Sequence, residues 1–347
     1  MGGPTAKMKL KDLADRLGLS QTTVSRALNG YPEVAAATRE RVVEAARRYD
    51  YRPNASARRL ATGTAGAVGT VLKTERGQMF DPHYVEFLAG LGERLAEHEI
   101  DIVIGTSKTN DEMAAYRRIA AGTRVDALIL SSPLISDDRV RLLNGLSMPF
   151  ILHGRTIGQA PHAWLDIDNE GGFRHATNHL LDLGHTRIAL INGARCYTYA
   201  ADRERGFRDA LASRGIAFDE RLIGEGIMTD EVGYRYTEAF LQMTPRPTAI
   251  LVSSMMMALG AFRAIRAAGL MLGKDVSMIA HDDVFPFLNA DRMVPTMSTT
   301  RSSIRAAGTR IAELVVELLG GREPESIHEL WPVDLIVRAS TGPAPSN

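Results

Sequence analysis

The stretch Leu10-Lys-Asp-Leu-Ala-Asp-Arg-Leu-Gly-Leu-Ser-Gln-Thr-Thr-Val-Ser-Arg-Ala-Leu-Asn29 constrains this chain more than any other. Leu10, Leu13, Ala14 and Leu17 recur at i, i+3, i+4 and i+7, one apolar stripe on a short helix. Gly18-Leu19-Ser20 interrupts it, with a glycine able to take the left-handed turn conformation and Ser20 placed to cap a second helix. In that second helix Val24, Ala27 and Leu28 point one way, while Gln21, Thr22, Ser25, Arg26 and Asn29 share the opposite face. Two helices joined by a glycine-containing turn, the second with a small hydrogen-bonding outer face, predict a helix-turn-helix. Such a face reaches base edges in a major groove. The competing reading of this segment alone is a helical hairpin with an ordinary solvated face.

The next twenty residues favour the first reading. Glu33 to Tyr51 has the pattern of a third helix, with Val34, Val42, Val43, Ala46 and Tyr49 inward to complete a small core. Arg39, Arg41, Arg47 and Arg48 on it are candidate phosphate contacts. Up to Gly63 there are 12 Lys and Arg against 6 Asp and Glu; the remainder holds 29 basic and 35 acidic residues. The balanced total therefore conceals a basic head on an acidic body, the asymmetry expected when one end meets phosphates.

At 347 residues the chain is too long for one ordinary domain and ample for a sizeable core. Its hydrophobic fraction of 45% is that of a soluble globular protein. The single cysteine, Cys196, excludes an intramolecular disulfide and fits a reducing compartment. The N-terminal residues lack an apolar core of signal-peptide length and no run approaches a membrane span, so the expectation is a cytoplasmic protein without membrane partners.

The connector Pro53-Asn-Ala-Ser-Ala-Arg-Arg-Leu-Ala-Thr-Gly63 reads as a helix capped by Asn54 and terminated by Gly63. It is about six residues, well below the roughly 12–15 needed for marginal stability in water. Such a helix frays unless docked. Arg58 and Arg59 beside Leu60 suggest docking on DNA, with Leu60 as an apolar wedge between base steps of a minor groove. A plain linker with an incidental leucine is the alternative.

From Ala65 onward, short apolar runs alternate with helical patterns. The runs are Ala67–Leu72, Ile100–Gly105, Val125–Leu130, Phe150–His153, Trp164–Ile167, Arg187–Ile191, Ala249–Val252 and Val276–Ala280. Helices are readable at His83–His98, Asp111–Ala121, Asn169–Leu183, Asp202–Arg214, Asp230–Gln242, Met255–Ala268 and Ser302–Leu319. Near-continuous hydrophobic strands between helices predict parallel sheet covered on both faces. The length suits two doubly wound α/β lobes with a ligand cleft where strand carboxyl ends meet. The domain plan is thus an all-α helix-turn-helix head at 8–53, a hinge helix at 54–63 and a two-lobed body at 64–347.

Motifs of catalysis and nucleotide binding are missing. Gly63-x-x-Gly66-x-x-Gly69 lacks the dinucleotide spacing and precedes a strand, and Gly273-Lys274 has no phosphate-loop context. His175 and His179 lie four apart on a helix with no third ligand evident, so a solvated face outweighs a metal site. No cofactor, metal or enzymatic activity is expected.

The residues resemble the lac repressor (LacI/GalR) family of bacterial transcription regulators over essentially the whole chain. The match runs from Leu13-Ala14, Gly18-Leu19-Ser20 and Thr23-Val24-Ser25-Arg26-Ala27-Leu28-Asn29 through Thr38-Arg39 and Tyr51-Arg52-Pro53-Asn54. In the body it includes Asp81-Pro82, Asp168-Asn169-Glu170-Gly171, the stretch from His179 to Ala189, Arg203-Glu204-Arg205-Gly206-Phe207 and Ala258-Leu259-Gly260.

The resemblance implies a homodimer on a pseudo-palindromic operator, with a body similar to periplasmic sugar-binding proteins and a small molecule between its lobes. By matching position it implies that Gln21, Thr22 and Arg26 read bases and that Leu60, followed by Ala61, wedges the central step. With the polar neighbours Ser20, Ser25, Asn29, Asn54 and Arg58, these are the expected DNA-facing residues. Arg203 matches the family's effector arginine and Asp282 its effector aspartate. An arginine and a carboxylate together offer donors and acceptors to vicinal hydroxyls, as a polyol requires; a purely structural Arg203–Asp282 ion pair is the alternative.

Departures bear on which ligand is bound. Ala280-His281-Asp282-Asp283 replaces the usual Gly-Tyr-Asp-Asp/Asn, Met228 lies where an aromatic often stacks, and Ser254-Met255 replaces Asn/Asp-Asp. Met255-Met256-Met257 is expected to fill an irregular lobe interface. His83-Tyr84 offer a stacking surface, and Ser131 and Arg155 are further pocket candidates. The phrase Asn29-Gly-Tyr-Pro-Glu-Val34 and the His-Asp-Asp variant are similar to regulators of α-glucoside use. The favoured expectation is a repressor released by a sugar; the alternatives are a sugar-binding sensor and a co-repressor-dependent regulator with a non-sugar ligand. The tail from Thr341 has no leucine heptads, so no tetramerising coiled coil is expected.

Overall fold

Helix α1 (Leu10–Leu17) ends at Gly18, whose φ of 66° is the left-handed value and whose amide turns back to the Ala14 and Asp15 carbonyls. This geometry comes from a computed structural model that describes residues 8–28, 30–51, 63–74, 82–107, 111–122, 124–156, 158, 160–282 and 284–346. The chain divides into two units, Met1–Gly66 and Ala67–Asn347.

In the first unit, Ser20 Oγ accepts the Thr23 amide at 3.0 Å, capping α2 (Gln21–Leu28). Leu13, Ala14, Val24, Ala27, Val34, Val42, Ala45 and Ala46 are buried together, flanked by Leu10, Leu17, Leu28 and Tyr51. The third helix, α3 (Ala36–Arg48), is shorter than its apolar pattern at both ends. Tyr49 is consequently a correction: it caps α3 with a φ of −103°, leaves the buried stripe and is 36% exposed. Its ring instead lies under the Arg16 guanidinium, 4.6 Å from centroid to carbon. Ala45 joins the expected Ala46 in the core in its place, and Val43 is only half-buried.

The second unit holds two six-stranded sheets, in the orders β11-β5-β4-β3-β1-β2 and β12-β10-β9-β8-β6-β7. The first contains β1 (Ala67–Lys73), β2 (Asp101–Ser107), β3 (Ala127–Ser131), β4 (Phe150–His153), β5 (Ala163–Ile167) and β11 (His328–Trp331). The second contains β6 (Ile188–Asn192), β7 (Ile223–Glu225), β8 (Ala249–Val252), β9 (Ser277–Asp282), β10 (Ser298–Arg301) and β12 (Asp334–Ile336). Central strands such as β3 and β8 are apolar and buried at every core position because helices cover both faces. The chain crosses between lobes at 167–169, 301–304 and 331–334.

The covering helices are α4 (Pro82–Ala96), α5 (Glu112–Ala121), α6 (Asp138–Gly145), α7 (Asn169–Asp182), α8 (Thr198–Ser213), α9 (Asp230–Leu241), α10 (Met255–Ala267) and α11 (Ile304–Leu319). α4 and α11 approach so closely that a Cβ on Gly90 would stand 2.0 Å from the Arg305 carbonyl oxygen, and one on Gly308 2.2 Å from that of Phe87. Glycine is required there by backbone contact, not by turn geometry.

The expectation of purely parallel lobes needs one adjustment: β12 runs antiparallel to β10 at the edge of the second sheet. β7, β10, β11, β12 and α6 lack the run lengths or periodicity that reveal the other elements. α8 also starts four residues earlier than its pattern, because Thr198 is held from outside the helix, its amide donating to the Pro133 carbonyl at 3.0 Å.

Candidate functional site

The outer face of α2 presents Gln21, Thr22 and Arg26 exposed to solvent, with Ser20 exposed before it and Ser25 half-buried. Val24 and Ala27 anchor the opposite face in the core, so the polar face is fixed outward by packing. Ser20 has a structural duty as well, accepting from the Thr23 amide and sharing a 2.8 Å hydrogen bond with the Thr23 hydroxyl. Asn29, Asn54, Arg58, Leu60 and Ala61, with the hinge helix itself, lie outside the described residues.

Two of the candidate phosphate contacts also have structural partners within the head. Arg39 Nη2 donates to the Tyr31 carbonyl at 2.8 Å and to that of Val34 at 3.4 Å, so it fixes the loop before α3. Arg41 Nη2 donates to the Leu17 carbonyl at 3.4 Å, at the end of α1. Arg47 and Arg48 are exposed.

In the body, candidate residues lie at the carboxyl ends of strands in both sheets, Ser131 and His153 ending β3 and β4 and Asp282 ending β9. Arg203, on the first turns of α8, is 5% exposed. Its Nε donates to Asn169 Oδ1 at 2.7 Å and its Nη1 to the Ser253 carbonyl at 2.8 Å. The guanidinium carbon lies 5.0 Å from the Phe173 ring and 5.3 Å from that of Tyr199. A planar cation held this way cannot swing out, and its orientation is set before any ligand arrives. Ser253 Oγ in turn donates to Asn192 Oδ1 at 2.7 Å, while Asn192 Nδ2 donates to the Ala200 carbonyl at 2.8 Å.

Asp282 ends β9, and its Oδ1 accepts the Val284 amide at 2.8 Å. Ser254 Oγ accepts the Met257 amide at 3.2 Å and so caps α10. Met228 packs against the second lobe's apolar core. Met255 and Met257 are also fully buried in that core, so they fill the lobe interior and not the lobe interface.

From the first lobe, Ser131 closes β3. Its Oγ is buried and, among the described residues, has no hydrogen-bond partner. The loop behind it is braced by Arg139, which donates to the carbonyls of Ser131 and Ser132 at 3.2 Å and to Asp137 Oδ1 at 2.9 Å. Burial alone would raise the Asp137 carboxyl, but Arg139 and the Leu134 amide hold it below the usual carboxylate range.

His83 stacks on His153, ring centroids 6.1 Å apart, and His153 stacks on Phe87 at 4.8 Å. Tyr84 is turned toward the sheet, its hydroxyl donating to Thr70 Oγ1 at 3.3 Å, and burial pushes the phenol up. Arg155 stands between two carboxylates: its Nε lies 3.2 Å from Asp166 Oδ2 and its Nη2 3.7 Å from Asp202 Oδ2.

The head matches the family model of bacterial regulatory proteins of the lacI family over residues 9–54, and a periplasmic binding protein-like domain matches residues 177–341. HTH-type transcriptional regulator AglR of Rhizobium meliloti (strain 1021) is 50% identical over 97% of this chain and 95% of its own length. This chain belongs to the LacI family of bacterial regulatory proteins. HTH-type transcriptional regulator RafR of Escherichia coli is 34% identical, over 93% of this chain and 96% of that protein. The lac repressor dimer bound to operator and the anti-inducer ONPF superposes with a TM-score of 0.83 at 27% identity, covering 96% of this chain and 99% of that one. The complex of the transcriptional regulator CelR with cellobiose gives a TM-score of 0.71 at 29% identity, covering 96% and 99%.

Within this LacI-family body, several residues of the candidate site escaped sequence reasoning. Asn169 was visible only as part of the Asp168-Asn169-Glu170-Gly171 turn, and nothing marked its side chain as the clamp on Arg203. Ser253 contributes through its carbonyl, which carries no side-chain signal. His153 ends a strand and reads as core. His281, by contrast, was visible as the departure from the usual tyrosine; it is buried, with Nδ1 3.0 Å from Thr300 Oγ1 and Nε2 3.1 Å from Ser302 Oγ. Among the described residues, no helix is long and apolar enough to cross a membrane.

Proposed function

We propose that this LacI-family transcriptional regulator represses carbohydrate-utilisation genes and is released from a pseudo-palindromic operator by a small sugar, with α-glucosides as the first candidates. The observation that carries the ligand class is the buried Arg203 clamp. Its guanidinium is pinned on Asn169 and Ser253 between two aromatic rings. A desolvated fork of donors, with the Asp282 carboxylate at the end of β9 and the Ser131 hydroxyl at the end of β3 as further polar groups, suits vicinal hydroxyls better than an apolar ligand.

In this reading Gln21, Thr22 and Arg26 contact base edges, while Asn54, Arg58, Leu60 and Ala61 act in the minor groove as the chain pairs with a second copy. Asp282, Arg203, Ser131 and the His83–His153 stack contact the sugar. Ser254 and Met228 shape the wall beside it. The ligand shifts operator affinity only through its differential affinity for the lobe arrangements. The cleft is read as a receptor site acting on DNA in the bacterial cytoplasm. The complex of CelR with cellobiose supports a disaccharide-sized occupant.

Thermal-shift screening with maltose, sucrose, trehalose, raffinose, cellobiose and their component monosaccharides tests this directly. A saturable rise with a disaccharide, abolished in Arg203→Ala, is expected. No shift with any sugar, together with a shift from a nucleobase or amino acid, overturns the sugar reading.

A further inference from the structure

The beginning of α8 is stitched to the other lobe by backbone. Thr198 donates its amide to the Pro133 carbonyl at 3.0 Å, Ile135 donates its amide to the Cys196 carbonyl at 3.0 Å, and Leu134 forms an antiparallel bridge with Tyr197. Residues 133–135 follow β3 of the first sheet, whereas 196–198 lead into α8, which packs on the second. One turn further on, adjacent residues of α8 face different ways. Arg203 turns to Asn169 and Ser253, and Asp202 turns to the first lobe, where Arg155 Nη2 stands 3.7 Å from its Oδ2.

Arg155 also lies 3.2 Å through Nε from Asp166 Oδ2, on β5 of its own lobe. Its guanidinium carbon sits 5.6 Å from the Trp164 ring, which steadies the side chain along the sheet edge. One cation is therefore shared by two buried carboxylates on opposite sides of the seam.

We propose that Asp166, Arg155 and Asp202 form a clasp across the cleft mouth, in which the two carboxylates compete for one guanidinium and so set how firmly the lobes are held. Arg155 serves Asp202 fully only when Asp166 is neutral. Burial pushes the Asp166 carboxyl up to about 7. The Ile167 amide, Arg155 and Arg203 oppose that rise, and Asp202 reinforces it. Asp202 is itself paired with Arg205, which binds Glu170 at 2.6 Å, and the strand partner of Asp166 on β11 is the apolar Leu330. Above neutrality the ionised Asp166 draws Arg155 to its own lobe and repels Asp202. Below neutrality Asp202 keeps the cation and the seam tightens.

Amide hydrogen exchange on the full chain reads the seam through Ile135 and Thr198, whose amides donate across it. With rates corrected for intrinsic exchange, protection at both amides is expected to be about fivefold higher at about pH 6 than at about pH 8. Asp166→Asn holds the high value at both, and Asp202→Asn holds the low value at both, with Ala249–Val252 in β8 unchanged. Should Asp166→Asn lower the melting temperature, Arg155→Gln replaces it and is expected to match Asp202→Asn. Equal wild-type protection at the two pH values, or wild-type seam protection in Asp202→Asn, overturns the clasp.

Discussion

Arg203 Nε donates to Asn169 Oδ1 at 2.7 Å, joining α8 to the first residue of α7, immediately after the chain crosses between lobes. The residue proposed to hold the effector is thus anchored beside an inter-lobe crossover. A ligand that pulls on the guanidinium pulls on the crossover, a short physical path from cleft to lobe movement.

Arg203→Lys keeps the charge and loses the planar fork, so it cannot satisfy Asn169, the Ser253 carbonyl and a ligand together. Losing a charged hydrogen bond costs about 1.5–3 kcal/mol, or roughly 10- to 150-fold in sugar affinity. Isothermal titration of the effector sugar checks this. Operator affinity without sugar is expected to stay near wild type.

Arg26→Ala removes a long donor from the outward face of α2, whose buried residues are unaffected. The expected loss is about 1–3 kcal/mol on operator DNA with relaxed base preference at one position. Anisotropy titrations on single-base operator variants measure it. A uniform loss across all duplexes would make Arg26 a phosphate contact.

Leu60→Ala tests the minor-groove wedge. Specific operator affinity is expected to fall while sugar affinity holds, since an unstacked base step needs an apolar side chain to fill it. Unchanged operator affinity removes the wedge from the account.

Gly308→Ala places a methyl group 2.2 Å from the Phe87 carbonyl oxygen across the α4–α11 contact. Backbone cannot yield cheaply there. Overpacking predicts a loss of about 1–3 kcal/mol in unfolding free energy. Denaturant melts of the variant check it, with Gly321→Ala, a position of positive φ with open space around it, as a comparison that separates strain from crowding.

Asp166 makes the fold less stable as pH rises. Its carboxyl titrates at about 7 in the folded chain, against about 3.9 unfolded, so the folded state binds the extra proton between those values. Stability is full below the lower value, declines through the interval and stays reduced above it. Three pKa units correspond to as much as about 4 kcal/mol. Chemical denaturation of wild type and Asp166→Asn at several pH values is expected to show the variant gaining on wild type as pH increases.

Most of the lobe architecture was legible because buried parallel strands leave unbroken apolar runs, as in Ala249–Val252. β10 was not, because Ser298, Thr299 and Thr300 are buried yet polar, the first two bonded to the C-terminal segment and Thr300 to His281; the Ser298 amide donates to Ser340 Oγ at 2.7 Å. The head was readable from its stripe and cap, but Tyr49 was misplaced since an aromatic beyond a helix end no longer follows the helical period. Arg203 and Asp282 were named only through the family resemblance, since neither stands out by spacing or periodicity. The partners of Arg155 were not, because Asp166 lies on another strand and Asp202 in the other lobe.

The most direct measurement is fluorescence anisotropy of a labelled duplex from upstream of the gene encoding this chain, at moderate ionic strength, against random competitor DNA. The account predicts preference for the specific duplex over competitor by at least about a thousandfold, released by the sugar that raises the melting temperature. Equal affinity for both duplexes, with and without that sugar, would contradict it.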